Sequence, residues 1–476
     1  MSWLDVAAPA PMRRVAVIAP DGALRDVLVR VADAAAVDFG RAEDAVAAPG
    51  DAADSGEAAR ILRRGGQAVP DAALSAIRPD LTALEQAGRY DLLAGEAQLD
   101  AYAAAAVRRS GAAALAGWVP AGRMPDVAAA LADAGGAVVP LPMPRGTQPP
   151  TLLSGRPLKR SVEPLVQTYG TVPYADIDPA WLAWLSYVLM FGMMFGDVGE
   201  GIALLAAACL LRAGWPGWAR RFRAAWPFVG GAGLAAALFG VLYGECFGPT
   251  GIVPAVWIDP LSHPLTLLAA AAGVGVALIA GAYGLGAVNR WREGGWTSLL
   301  YAPSGVAGIA VFLGAGAAAG GWYVHRGLLL AAGGSLAIAG LILAAVGFFA
   351  DAGGGAAGTV QASVELFDLV VRLGSNLMSF TRLAAFGLTH AALGLLVWEA
   401  TRALWRQGGG FIAAAVAIFA AGTALVFSLE ALVAAIQALR LEYYELFSRV
   451  FVTQGRPFSP WQVPVVKEAV VKGDTT

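Results

Sequence analysis

The sequence has little charge and little cysteine for its length. Only 14% of its 476 residues are charged, whereas 57% are hydrophobic, and its mean hydropathy is +0.61. This balance excludes an ordinary soluble enzyme and indicates a membrane protein. The formal net charge is only -2, so the chain lacks the basic surface that binds nucleic acid, and we expect no nucleic-acid partner.

Metal-binding and nucleotide-binding motifs are also scarce. The chain has two cysteines, both in or beside apolar segments, which excludes a disulfide framework and a cysteine-based zinc site. We find no Walker A loop, HExxH or CxxC pattern, and therefore expect no cofactor, no bound metal and no nucleotide site. The cysteines are Cys209 and Cys246, and the three histidines are His263, His325 and His390.

The charges that exist are concentrated near the start of the chain. The first 175 residues hold 36 charged residues and the next 175 hold 14, so a polar module precedes a lipid-embedded one. In the polar module, short β-branched runs bounded by Pro and Gly predict strands, and apolar periodicity predicts helices, which together indicate a small α/β domain. The predicted strands are 14–20, 113–120 and 137–142, and the predicted helices are 24–36, 58–109 and 124–134. The predicted domains are a truncated cytosolic α/β domain (1–150), a Pro-rich join (151–180), a membrane domain (181–455) and a cytoplasmic tail (456–476).

Apolar runs of membrane-spanning length fill most of the remaining chain, since about 20 helical residues span the hydrocarbon layer. The last two runs would each be about 60 Å long as helices, which implies strong tilting. Residues 181–211 predict a tight hairpin that turns near Gly196, Asp197 and Gly199. The other predicted spans lie near 224–243, 265–288, 298–320, 328–349, 363–404 and 411–451.

Basic residues in the loops predict the orientation of these spans. The linker after the hairpin holds Arg212, Arg220, Arg221 and Arg223, whereas the next loop, 245–263, holds no Lys or Arg. The positive-inside rule places the first linker in the cytoplasm. The chain start lacks the basic and apolar regions of a secretory signal, so we expect a cytoplasmic N-terminal module. Counting the hairpin as two gives about eight crossings of the cell membrane and a cytoplasmic C-terminus.

Ionisable residues inside the last two spans are the main candidates for function, because they are costly in lipid. Arg382 lies mid-span, with Asp368 before it and His390 after it. In the last span, the spacing places Glu430 and Gln437 on one face and Gln437 next to Arg440. Glu442 and Glu445 follow toward the end of that span.

Each candidate also has a purely structural interpretation. Arg440 could neutralise Glu430, and Arg382 could likewise pair with a carboxylate on another helix. His390 could be a hydrogen-bonded packing residue, and Asp197 could cap the hairpin turn. Arg372 could extend toward the membrane interface. Glu442, Glu445 and Arg449 could form a solvated face.

Three segments resemble the membrane stator subunit of vacuolar and archaeal-type rotary ATPases, called subunit a or subunit I. They are FGMMFGDVGEG (191–201), SFTRLAAFGLTHAAL (379–393) and LEALVAAIQALRLEYYELFSRVFVTQGRPFSP (429–460). AGWVP (116–120) and YGTVPYADIDP (169–179) are similar to that family's join between its cytosolic and membrane halves. The resemblance implies eight membrane helices, the last two long and tilted.

The resemblance also implies roles for individual residues. Arg382 matches the essential arginine that faces the rotating proteolipid c-ring, and Arg440 matches its companion. His390, Glu430 and Glu445 match polar positions, Asp197 matches the acid of the first motif, and Asp368 stands where the family has Glu. Glu200 and Gln437 depart from the family pattern. The short cytosolic module leaves little room for the arm that contacts peripheral stalks.

The leading hypothesis is therefore an ion-translocating stator with two half-channels beside a fixed arginine. The expected partners are the c-ring, the lipid bilayer, and the peripheral-stalk and central-stalk subunits of a V/A-type ATPase. The ion is a proton or sodium, because the selecting carboxylate belongs to the ring. Two alternatives remain open: a stator paralogue acting as a membrane scaffold, and a secondary transporter in which Arg382 binds an anionic substrate, although we find no inverted repeat.

Overall fold

A computed structural model describes residues 9–40, 56–65, 71–143, 147–152, 172–450 and 455–466. Residues 9–152 and 455–466 form one compact unit, and residues 172–450 form another. Most of the predicted join, 153–171, lies outside the described residues, as do residues 467–476 of the predicted tail. The predicted fold class, a helical polytopic membrane protein with a small α/β region, is confirmed.

The first unit is built on a four-stranded antiparallel sheet with the strand order β3 (Val107–Arg109), β4 (Ala112–Pro120), β1 (Met12–Pro20) and β5 (Ala137–Pro140). Strand β1 is mostly buried because its apolar residues, among them Val15 and Val17, face a core shared with Leu28 and Val31 of the first helix. The strands are β1 (Met12–Pro20), β2 (Leu74–Ser75), β3 (Val107–Arg109), β4 (Ala112–Pro120) and β5 (Ala137–Pro140). The helices are α1 (Leu24–Ala34), α2 (Glu57–Gly65), α3 (Leu81–Gln86), α4 (Tyr90–Ala105) and α5 (Met124–Ala132).

The prediction of helix over 58–109 is wrong for two parts of that stretch. Strand β2 and a turn separate α2 from α3, and β3 follows α4. Pro79 cannot continue a helix, and Asp80 starts the next one because its carboxylate accepts from the backbone N–H of Thr82 at 2.9 Å. The composition of 58–109 therefore favoured one long helix, whereas helix-breaking residues such as Pro79 divide the described part of the stretch into three helices.

The end of the described chain is part of this first unit. Strand β6 (Val465–Val466) pairs in parallel with β2. Trp461 is buried against Tyr102, with ring centroids 4.7 Å apart. Arg456 contacts the buried carboxylate of Asp38 at 2.7 Å. Residues 455–466 thus contribute a strand, a core side chain and an ion pair to the α/β unit.

The second unit is helical. Among its described residues, six helical stretches are long and apolar enough to cross a membrane, and one of them, Gly355–Trp405, consists of two consecutive helices. A hairpin of two shorter helices precedes them. The hairpin consists of α6 (Ala180–Met194) and α7 (Val198–Ala213) and turns at 195–197, as predicted. The next helices are α8 (Trp226–Tyr243), α9 (Pro264–Tyr301), α10 (Val306–Tyr323), α11 (Gly327–Asp351), α12 (Gly355–Ser379), α13 (Thr381–Trp405) and α14 (Phe411–Leu441).

Glycine allows the closest helix contacts in this unit. An added Cβ at Gly314 of α10 would lie 2.4 Å from the backbone nitrogen of Ala337, and one at Gly333 of α11 would lie 2.3 Å from that of Ala318. Small residues at such crossings let helix backbones approach in apolar surroundings. Gly314 and Gly333 therefore allow the close packing between α10 and α11.

Two irregular places interrupt the long C-terminal helices. The predicted span 363–404 is divided at Phe380, where α12 ends and α13 begins. After α14 the chain forms a π-helical turn, Glu442–Phe447, and then a short helix α15 (Ser448–Val450). Both irregular places lie beside candidate residues, Arg382 and Glu445 respectively.

Candidate functional site

Asp197 occupies the turn of the hairpin and is fully buried. Its Oδ1 accepts from the backbone N–H of Glu200 at 3.0 Å, which caps α7, and its Oδ2 accepts from the N–H of Gly248 at 2.8 Å. The capping interpretation of Asp197 is therefore confirmed. The two backbone donors also fix the direction of the carboxylate.

Helix α8 crosses this turn at very short range. An added Cβ at Gly240 would lie 2.3 Å from the backbone nitrogen of Val198. The hydroxyl of Tyr243, at the end of α8, donates to the carbonyl of Met193 at 3.3 Å. These contacts bring the loop that follows α8, including Glu245, against the hairpin turn.

Five ionisable residues meet beside the turn, and we call them the acid–histidine cluster: Asp197, Glu200, Glu245, His390 and Glu430. The Nδ1 of His390 contacts the carboxylate of Glu430, and its Nε2 lies 3.9 Å from Oε2 of Glu200. Ligand atoms of Asp197, Glu245 and His390 all lie within 4.8 Å of one another, so these three residues could hold a metal ion. Glu430 is half-buried and the other four are buried.

A second group of charged residues surrounds the two helix irregularities. Arg382 lies in the first turn of α13, and its Nη1 is buried without a hydrogen-bond partner among the described residues. Arg440 lies in the last turn of α14 and is exposed. Glu445 is buried and interacts electrostatically with Ser379, Arg382 and Arg440.

Glu430 and Arg440 do not form the ion pair that the structural interpretation of the sequence allowed. Glu430 contacts His390 instead, and Arg440 has no ion pair within 4.0 Å in the described parts of the chain. The two residues are ten positions apart, and they extend toward different neighbours. The packing interpretation of His390 is also incomplete, because His390 is paired with Glu430.

The interpretation of Glu442, Glu445 and Arg449 as a solvated face is wrong, because all three are buried. The π-helical turn directs Glu442 toward α6, where Ser186 Oγ lies 2.6 Å from its Oε2. Arg449 donates from Nη1 to the Tyr283 hydroxyl at 2.8 Å. These groups therefore join helices inside the unit.

Two cavities whose linings include charged side chains lie on the side of Arg382 toward the start of α12. One of about 710 Å³ is lined by Asp368, Arg372 and Arg449, among others. Asp368 pairs with Arg372 at 2.6 Å along the same helix, so Arg372 serves as a partner there. Another cavity, of about 600 Å³, is lined by Ser379, Arg440 and Glu445, among others. Gln437, between Glu430 and Arg440 on α14, has a buried Oε1 without a partner among the described residues.

Several residues of the site were missed by sequence reasoning. Glu245 follows the end of α8, and Ser186 lies within α6, where a serine has no obvious significance. Tyr283, on α9, accepts a hydrogen bond from Arg449. Glu245 carried one usable signal, since it is an isolated acid directly after an apolar span.

Comparison with known proteins supports the resemblance seen in the motifs. Residues 103–220 match the model of the V-type ATPase 116kDa subunit family. A-type ATP synthase subunit I of Archaeoglobus fulgidus is 36% identical over 143 residues, which are 29% of this chain and 20% of the relative. The same subunit of Aeropyrum pernix is 25% identical over 373 residues, covering 68% of this chain and 52% of the relative.

The chain is similar to subunit a/I of the V/A-type ATPases. The human V-type proton ATPase 116 kDa subunit a 3 adds a eukaryotic match, 31% identical over 126 residues, which are 24% of this chain and 15% of the relative. The chain spans about half the length, or less, of the curated relatives it matches. The predicted resemblance to subunit a/I is thus confirmed, and the multi-pass membrane character agrees with it.

Proposed function

We propose that this chain is the ion-translocating stator subunit of a V/A-type rotary ATPase and acts against a ring of proteolipid subunits. The observation that carries the proposal is the environment of Arg382. Its Nη1 is buried and without a hydrogen-bond partner among the described residues. A buried donor left unpaired costs about 1–3 kcal/mol, and more when it is charged. A carboxylate arriving from a rotor subunit would supply the missing acceptor.

The chemistry of this step follows from the guanidinium group. It stays protonated at any physiological pH, so it provides a fixed positive charge within the membrane. Such a charge lowers the pKa of an approaching carboxylic acid, which then releases its proton. The same charge opposes direct leakage of cations between the two sides.

The remaining candidates form two half-channels in this proposal. Asp368 lies on α12, before the break at Phe380, whereas His390 follows Arg382 on α13 by about 12 Å, at 1.5 Å per residue. The cavity beside Asp368 forms part of the half-channel on the cytoplasmic side, and Glu442 and Glu445 belong to the same half-channel. The acid–histidine cluster forms the half-channel on the outer side. Rotation of the ring connects the two.

An exposed apolar stripe on α14 supplies the surface for the ring. The most apolar window of the Phe411–Val450 helix is only 6% buried. Leu425, Leu429, Leu432 and Ile436 are all exposed, and their spacing places them on one face that continues to Arg440. We assign this stripe to the proteolipid helices, with peripheral-stalk and central-stalk subunits as further partners.

Purification in mild detergent tests this function. The proposal expects a proteolipid ring to co-purify with the full chain. A chain that purifies from its native membrane without any proteolipid would contradict the stator role and favour the scaffold or transporter hypothesis. The variant Leu432→Lys places a charge in the exposed apolar stripe of α14. The ring should no longer co-purify with this variant, because the charge would enter the apolar contact.

The orientation has its own test. With Cys209 and Cys246 replaced, a single Arg221→Cys should react with an impermeant thiol reagent only from the cytoplasmic side. Thr250→Cys should react only from outside. Labelling of the Arg221→Cys variant from outside would show that the hairpin does not return to the cytoplasm, and would leave seven crossings instead of the proposed eight.

A further inference from the structure

We propose that Asp197, Glu245 and His390 bind one divalent transition-metal ion of the Zn²⁺ type. The three side chains come from the hairpin turn, the loop after α8, and α13. Their ligand atoms already lie within 4.8 Å of one another. Ligand atoms around tetrahedral Zn²⁺ are about 3.4 Å apart, so the side chains need to close by little more than about 1 Å.

The orientation of His390 favours metal binding. Its Nδ1 contacts the Glu430 carboxylate, which leaves Nε2 as the ring nitrogen available to a metal. A histidine that ligates a metal usually gives its other ring nitrogen to such a carboxylate, which fixes the ring and raises its basicity. Glu430 is therefore placed to orient His390 as a metal ligand.

The carboxylate of Asp197 is also held in a fixed orientation. The backbone N–H groups of Glu200 and Gly248 each donate to a different oxygen of its carboxylate. Each carboxylate oxygen has a second lone pair, so both remain able to bind a metal. The ligand is held in place by the main chain rather than by flexible side chains.

Glu200 supplies an independent sign that a cation belongs here. The residue is 3% exposed, and its Oε2 has no hydrogen-bond partner in the described chain. That oxygen lies 3.9 Å from Nε2 of His390, beside the three ligands. Buried polar atoms without partners are costly, and a metal ion or its bound water would satisfy this one.

The donor set decides the class of metal. One imidazole and two carboxylates suit Zn²⁺ and its transition-metal neighbours, whereas Ca²⁺ and Mg²⁺ prefer shells made only of oxygen. The site overlaps the proposed outer half-channel, so a bound ion would obstruct it. That consequence rests on the proposed function, but binding itself does not.

Binding is tested on the full chain, purified in mild detergent with a tag that contains no histidine. Calorimetric titration with Zn²⁺ should show one ion per chain. Glu245→Gln and His390→Gln should each weaken binding at least about tenfold, and Glu430→Gln should weaken it about 10- to 100-fold by releasing the histidine ring. His263→Gln and His325→Gln remove the other two histidines and should leave binding unchanged.

X-ray absorption at the zinc edge of the wild-type chain gives a readout that does not depend on any variant folding. One imidazole together with oxygen ligands is the expected shell. Absence of saturable binding, two or more imidazoles in the shell, or loss of binding in the control variants would overturn the site. Zn²⁺ that binds as expected but leaves ion pumping unaffected would uphold the site and count against the proposed half-channel.

Discussion

The hydroxyl of Ser186 lies 2.6 Å from Oε2 of Glu442, and both residues are buried. The bond joins the first helix of the hairpin to the π-helical turn after α14, across 256 positions of the chain. This bond fixes the position of Glu442 in the π-helical turn. Glu445 follows three residues later in the same turn and interacts with Arg382 and Arg440. The placement of Glu445 thus depends on a contact far from it in sequence.

Ser186→Ala should lower the stability of the membrane unit by about 1–3 kcal/mol, because Glu442 would remain buried without its partner. Apparent melting in detergent measures the loss. Replacing both residues, as Ser186→Ala with Glu442→Leu, should recover much of it, since neither side then leaves an unpaired polar group. An unchanged melting temperature for Ser186→Ala would show that the bond contributes nothing.

Gly240→Ala should distort the hairpin turn, because its Cβ would lie 2.3 Å from the backbone nitrogen of Val198. Neither backbone can move easily there, so we expect a loss of about 1–3 kcal/mol and lower yield of folded protein. Gly281→Ala is the matched control, since an added Cβ at Gly281 meets nothing within 4 Å. Equal stability of the two variants would contradict the close crossing.

A pH dependence is expected from Asp176, which precedes α6 outside the spanning helices. Burial, and then its contact with Glu293, raise the pKa of Asp176 to about 8. Between the unfolded pKa near 4 and the folded value, the folded state keeps a proton that the unfolded state releases. Stability should therefore fall as pH rises across this window, by at most about 1.4 kcal/mol per pH unit.

The measurement for Asp176 is the apparent melting temperature from pH 5 to pH 9. Asp176→Asn keeps the shape without the titration, so its melting temperature should fall less steeply than that of the wild type up to about pH 8. Above that pH the two curves should run parallel. Parallel curves over the whole range would mean that Asp176 is not protonated in the folded state.

Trp461→Ala should destabilise the α/β unit, although Trp461 lies near the opposite end of the chain. Trp461 is 7% exposed, and its Nε1 donates to Gln98 Oε1 at 3.1 Å. Removing such a side chain from a core costs about 3–5 kcal/mol. Hydrogen exchange in α4 should rise, whereas the control Trp218→Ala, at a residue 69% exposed, should not change it. Unaltered exchange in Trp461→Ala would contradict the packing.

Local sequence predicted the hairpin well, and the reason is physical. Asp197 follows Gly196 and precedes a helix-forming run, so the turn and the N-cap are both encoded within a few residues. The parallel pairing of β6 with β2 could not be predicted in the same way. That pairing joins Leu74 to Val465, and nothing local to either residue specifies the other.

The break at Phe380 was missed because the predicted span 363–404 contains no Pro, and its glycines, Gly374, Gly387 and Gly394, all lie six or more residues from the break. In retrospect a weaker signal exists. Ser379 Oγ donates to the Ser375 carbonyl and Thr381 Oγ1 donates to the Met378 carbonyl, and such side chains compete with helical hydrogen bonds. Packing decides whether that competition breaks a helix.

The candidate site could be predicted residue by residue but not as an assembly. Arg382, His390 and Glu430 were singled out because charge is costly in lipid. Their spacing within one helix indicated shared faces, yet it could not show that Glu430 contacts His390 rather than Arg440. Contacts between helices depend on packing angles that a single sequence leaves open.

The most direct test of the central proposal is ATP-driven ion pumping by the complex reconstituted in vesicles with Arg382→Ala. The account predicts an assembled complex without pumping, because a rotor carboxylate without its cationic partner keeps its proton. Arg382→Lys should restore little, since an ammonium lacks the planar donor fork and can itself lose its charge. Pumping by Arg382→Ala at a near-normal rate would contradict the stator mechanism.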